Sequence, residues 1–131
     1  MQKAFLSPLL RKSDGSLTLV NSRSGRLLAH SLAGAFDSSS RRTGLLGRDR
    51  LDEGHALIIA PTSAIHTFFM RFPIDVAFVR RDGRVVSVRH GLKPWRIAFA
   101  LGAHAAIELP TGTLAGSDTV AGDTLIITAA L

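Results

Sequence analysis

The run from Ser63 to Val79 constrains the fold more than any other part of this chain. It reads as core strand, yet it sets His66, Thr67, Arg71 and Asp75 among large apolar side chains. A buried polar group needs a partner, because desolvation without a hydrogen bond costs several kcal/mol, about 2–7 by transfer scales. A structure that accepts four such groups in one run holds either an internal polar network or a site.

The flanking segments are β in character. Leu17 to Val20 and Arg26 to Ala35 read as strands, followed by Ala56 to Ile59, Ile65 to Met70, Ile74 to Arg80, Ala105 to Leu109 and Thr124 to Thr128. Ser38, Ser39 and Ser40 offer N-caps for a short helix over Ser40 to Leu46, with Gly47 as its terminal glycine. Residues 91–104, with Pro94 and Trp95, read as a looser connection, and Val120 to Asp123 as the turn before the last strand. Short strands at regular spacing predict a mainly β fold, an antiparallel β-sandwich or partly closed barrel with one helix near residues 40–46. Residues 1–16 read as a weakly structured lead-in ending in the turn Ser13 to Ser16, and residues 17–131 as a single domain.

Asp82-Gly83 is the strongest hairpin signal. A two-residue turn there pairs Arg81 with Arg84, Val79 with Val86, Ala77 with Val88, and Asp75 with His90 on the core-facing side. A carboxylate beside His90 would orient the imidazole and raise its pKa. If the strand holding His66 lies alongside, His66, Asp75 and His90 form a metal triad in chemical type. The spacing matches no metal signature, and a His in an aromatic strand is more often hydrogen-bonded core, so no metal is assigned.

Asp75 is either a ligand anchor or general base, or a carboxylate satisfied by Arg71 or by backbone N–H groups, which is the commoner case. Arg71 is that partner or an anion clamp. Glu108 points to solvent by alternation or inward into the core. Trp95 stacks on a flat ligand or caps the core. Phe68 and Met70, on the strand face of His66, read as core.

Gly44-Leu45-Leu46-Gly47-Arg48, the stretch His66 to Asp75, Ile107-Glu108-Leu109-Pro110-Thr111-Gly112 and Gly122-Asp123 fall in order over about residues 25–128. In these landmarks the chain resembles the DUF192 family, which has no established activity. Many members have Trp before the Met and a longer segment, with Lys-Asn-Thr, before the Pro-Leu-Asp. Here Phe69 precedes Met70 and only Arg71 and Phe72 precede Pro73, which makes Arg71 the natural substitute for that Asn. The resemblance implies a fold and a candidate surface.

The chain has no cysteine, which excludes disulfide scaffolds, thiolate metal sites and cysteine nucleophiles. No glycine-rich phosphate loop, serine elbow or paired-carboxylate motif occurs. The net charge of +6 comes mostly from scattered arginines with no aromatic-interleaved basic motif, which argues for solubility over nucleic-acid binding. The apolar part of the N-terminus is short and broken by Pro8, so no membrane span is expected, and the default compartment is cytoplasmic. The chain reads as a small non-catalytic β-domain that binds a small ligand or protein partner through the His66–Asp75 region. Its binding candidates are His66, Arg71, Asp75, His90, Trp95 and Glu108. The competing reading is a metal-assisted or acid–base enzyme using His66, Asp75 and His90.

Overall fold

The computed structural model describes residues 4–10 and 16–129. In chain order the elements are α1 (Ser7–Leu10), β1 (Leu17–Asn21), β2 (Leu27–Ala29), β3 (Ser31–Ala35), α2 (Ser38–Thr43), β4 (His55–Ile59), β5 (Ala64–His66), β6 (Ile74–Val79), β7 (Val85–Leu92), β8 (Ile97–Phe99), β9 (Ala105–Pro110), α3 (Thr113–Gly116) and β10 (Leu125–Ala129). The fold is mainly β, as the strand pattern predicts, with several sheets, short helices and no closed barrel.

A five-stranded sheet in the order β3-β4-β9-β6-β7 forms the middle layer. On one side lies the three-stranded sheet β10-β1-β2, and between the two sits a core containing Leu19, Leu125, Ile127, Ala77, Ile107 and Leu109. On the other side lies the ribbon β5-β8, and a second core joins Ile65 and Ala98 of that ribbon to Ile59, Ile74, Phe78 and Leu45. A strand covered on both faces has no solvent side, which is why β6 and β9 read as near-continuous apolar runs. It also means that a polar residue in either strand is buried whichever way it points.

Several boundaries differ from the expectation. The strand read as Arg26 to Ala35 breaks at His30: β2 joins the three-stranded sheet and β3 the central one. β3 runs parallel to β4, the one parallel pair among the described strands. A parallel pair needs a crossover, and α2 lies in it. That helix starts earlier than expected, because the Asp37 carboxylate accepts the Ser40 N–H at 2.7 Å, and Gly44 ends it. The strand expected over Ile65 to Met70 ends at His66, and the connection over 91–104 contains β8, paired with β5. α1 and α3 are additional single turns. Phe5 and Leu6, within the segment read as a lead-in, are buried in the first core, and the Phe5 N–H donates to the Arg81 carbonyl. Most of the turn expected at Ser13 to Ser16 lies outside the described residues.

The β6–β7 hairpin corrects the predicted register. Arg80 N–H donates to the Arg84 carbonyl and Gly83 N–H to that of Arg80, so the loop has one residue more than a two-residue turn. Gly83 sits at φ +89°, and a Cβ there would collide with the Leu125 carbonyl oxygen. Val79 therefore pairs with Val85, not Val86. A bulge in β7 restores the predicted pairing at Ala77 and Val88. A second irregularity, around Gly91 at φ +57°, then moves Ile74 onto Leu92 and removes the Asp75–His90 pair. His90 is exposed while Asp75 is fully buried, so the two are not core neighbours.

Candidate functional site

Glu108 is the anomalous group. It sits in the middle of β9, paired with Leu57 of β4 and Val76 of β6, and faces the second core along with Ala106. Its exposure is 3%. Among the described residues no hydrogen bond or ion pair from the protein reaches its carboxyl. Fully enclosed side-chain N and O atoms there are all bonded, so the Glu108 oxygens keep an opening. That opening is a cavity of about 350 Å³ between β5 and the α2 region, with Glu108 in its wall.

The apolar lining comes from Leu45, Ile59, Ile65 and Met70. Glu108 is the one acidic group in it, and Arg41, Arg42 and His66 are its basic groups. Arg41 is largely spent on structure, donating to the carbonyl of Phe36 at 2.8 Å. Among the described residues no cationic side chain pairs with Glu108, and burial pushes its carboxyl up to about 7. A carboxyl that exchanges its proton near neutrality, in a cavity of ligand size, can accept from a donor when ionised and donate when neutral.

Asp75 lies on the opposite face of the central sheet, alternating with Ala77 and Val79. Its carboxylate accepts the N–H groups of Gly91 (2.9 Å), Gly112 (3.0 Å) and Leu114 (3.0 Å). These bonds tie β7 and the start of α3 to β6. Arg71 does not take part: its guanidinium pairs with Asp49 at 2.7 Å, with both side chains exposed, an arrangement worth little.

The turn after β5 departs from ordinary backbone geometry. Phe69 has φ 65° and Trp95, in the facing turn, φ 66°. Left-handed geometry costs a bulky residue about 1–2 kcal/mol. Buried Thr67 fixes both turns: its hydroxyl donates to the Lys93 carbonyl (2.6 Å) and accepts the Arg96 N–H (2.9 Å), and its carbonyl accepts the N–H of Trp95 (3.0 Å) and Met70 (3.2 Å). The result is a connected aromatic row. His66 stacks on Phe68 at 4.8 Å, Phe68 on Trp95 at 5.8 Å, and Phe69 lies 4.6 Å from Trp95. Trp95 does not cap the core; it is more than half exposed. Thr67→Val keeps the shape and removes both hydroxyl bonds. It is expected to lower stability by about 1–3 kcal/mol and to change the emission of the sole tryptophan, measured by denaturant titration. An unchanged midpoint and spectrum would count against Thr67 as the tie.

The predicted candidates therefore separate. His66 and Glu108 both line the cavity, Trp95 joins His66 through Phe68, and Asp75, Arg71 and His90 stand apart. The triad His66, Asp75 and His90 is not assembled, and no group of three or more His, Cys, Asp or Glu among the described residues is placed to hold a metal. Thr67 and the cavity residue Leu45 were not among the candidates. The signal for Thr67 was a hydroxyl inside an apolar run; that for Leu45 was its place in the landmark Gly44 to Arg48. A polar cluster also escaped notice. Asp123 accepts from Asn21 (2.9 Å) and Arg23 (2.6 Å), which holds its carboxyl well below the usual range and ties the β1–β2 turn to the one before β10.

A comparison with curated proteins gives no match. Two solved structures share the fold. A protein of unknown function from Novosphingobium aromaticivorans aligns at TM-score 0.72 and 23% identity, covering 83% of this chain and 81% of its own. A putative transcription regulator from Sinorhizobium meliloti aligns at TM-score 0.73 and 22% identity, covering 85% of this chain and 91% of its own. The family model DUF192, described as an uncharacterised conserved region, matches residues 19–127, and the chain belongs to that family.

Proposed function

We propose that this domain binds a small ligand in the cavity between β5 and the α2 region, with Glu108 as the group that recognises it. The observation that carries this reading is a buried carboxyl with no partner among the described residues, open to a cavity of about 350 Å³. An unpaired carboxyl in a core strand lowers stability, and such a cost is characteristically retained at sites. The volume lies at the lower end of the range of about 300–1,000 Å³ found for ligand pockets, so the ligand is a small molecule. His66 and Met70 in its lining support a site within the His66–Asp75 region, and Asp75 braces β6 from the opposite face.

The test is a fragment screen by NMR on the intact protein and on Glu108→Gln. Polar fragments are expected to shift the resonances of Leu45, Ile65 and Met70, and Glu108→Gln to weaken the response by roughly tenfold, the loss of one charge-assisted bond. Shifts confined to other surfaces, or equal affinity in the variant, would contradict the reading.

A further inference from the structure

A second feature, independent of the cavity, lies on the outer face of the β5–β8 ribbon. Phe69, Trp95, Ile97, Phe99 and Leu101 are all large, apolar and exposed, from 56% at Trp95 to 86% at Leu101. They are half of the exposed large apolar residues among those described, gathered from two facing turns, one strand and the turn that follows it. Ile65, Ala98 and Ala100 point inward from the same ribbon, so alternation drives Ile97 and Phe99 out. Strained backbone at Phe69 and Trp95 holds both rings in this face. A clustered patch of this kind marks an interaction surface.

Cations predominate in the sequence that flanks it. No acidic residue occurs between Glu53 and Asp75, or between Asp82 and Glu108, while these stretches carry Arg71, Arg84, Arg89, Lys93 and Arg96. Two of the cations touch the patch. Arg96 folds back onto the carbonyls of Pro94 and Trp95, and Arg89 reaches the Phe99 carbonyl at 3.5 Å. The acids near it are already paired with cations: Asp49 with Arg71, and Asp82, which lines a cavity with Gly102, with Arg80.

From this combination we propose that the face formed by Phe69, Trp95, Ile97, Phe99 and Leu101 docks on an anionic lipid surface. A second copy is disfavoured, because it would bring a cationic face against its like in a chain of net charge +6. An acidic protein would satisfy the charge, but the apolar side chains project from separate turns, and a fluid interface accommodates them without a matching shape. Trp at the level of the headgroups, aliphatic and Phe side chains below it, and Arg or Lys against anionic lipid are what such an interface selects. No helix among the described residues is long and apolar enough to cross a membrane, and the proposed contact is made by these surface side chains.

The chain holds one tryptophan and no tyrosine, so Trp95 reports the contact directly. The intact protein is titrated at low salt with vesicles of phosphatidylcholine containing phosphatidylglycerol, with phosphatidylcholine vesicles alone, and with an acidic peptide carrying apolar residues. A blue-shifted Trp95 emission and co-sedimentation are expected with the anionic vesicles, reduced by high salt and by omission of the anionic lipid. Arg96→Glu, and separately the pair Phe99→Asp with Leu101→Asp, should each weaken partitioning by roughly tenfold or more with the fold retained. Either of two results would overturn the proposal: no shift and no sedimentation with anionic vesicles, or a response to the peptide with none to the vesicles.

Discussion

Glu108→Gln is expected to raise stability at pH 8 by about 3 kcal/mol relative to its effect at pH 4. The sign follows from the direction of the shift. Burial lifts the Glu108 carboxyl from 4.5 to about 7, so between those values the folded protein holds a proton that the unfolded chain has released. Stability is therefore full below about pH 4.5 and falls as pH rises through 7. That interval corresponds to about 3 kcal/mol at 1.36 kcal/mol per pH unit. The groups facing the cavity from other elements are Arg41, Arg42 and His66, and neither strand partner, Leu57 or Val76, carries charge. Glutamine is neutral throughout and nearly isosteric, so wild-type and variant curves of unfolding free energy against pH should diverge above pH 5. Parallel curves from pH 4 to 8 would mean that Glu108 is exposed or paired.

Asp75→Ala acts in the opposite direction. Its carboxylate receives three backbone N–H groups from two segments, and alanine would leave those of Gly91, Gly112 and Leu114 without an acceptor beside a tightly filled core. A loss of about 2–4 kcal/mol is expected, since each buried donor left unsatisfied costs about 1–3 kcal/mol and relaxation with entering water recovers part of it. Asp75→Asn keeps an acceptor oxygen but sets an amide among donors, so it should fall between wild type and alanine. Thermal or urea denaturation of both variants decides the matter. Melting temperatures unchanged in both would remove Asp75 from the scaffold.

These two carboxylates show how far the sequence could be read. Both were conspicuous, because an acid inside an apolar run stands out whatever the fold. What could not be read was the face. Along β6 and β9 both sides are covered, so alternation carries no inside-or-outside information. Only the two extra layers put Asp75 against α3 and Glu108 against the cavity. The hairpin illustrates another limit. Asp82-Gly83 located it, and Ala77 and Val88 pair as expected, but one additional loop residue and an irregularity near Gly91 displaced both ends. β8 is three residues long and gains its identity from pairing with β5, a tertiary fact with no local signature. Trp95 was visible as a candidate, whereas its left-handed backbone and its link through Phe68 to His66 depend on the bonds of Thr67 to Lys93, Trp95 and Arg96, 26 to 29 positions along the chain.

Glu108 is a buried carboxyl, unpartnered among the described residues and open to the cavity. Side-chain carboxyl NMR tests this most directly, by following the ¹³C shift of Glu108 with pH in the ligand-free protein and assigning the signal through Glu108→Gln. A single titration with a midpoint near 7 is expected, well above the ordinary glutamate value. A midpoint at or below the ordinary glutamate value of about 4.3 would show the carboxyl solvated or paired, and would contradict the site.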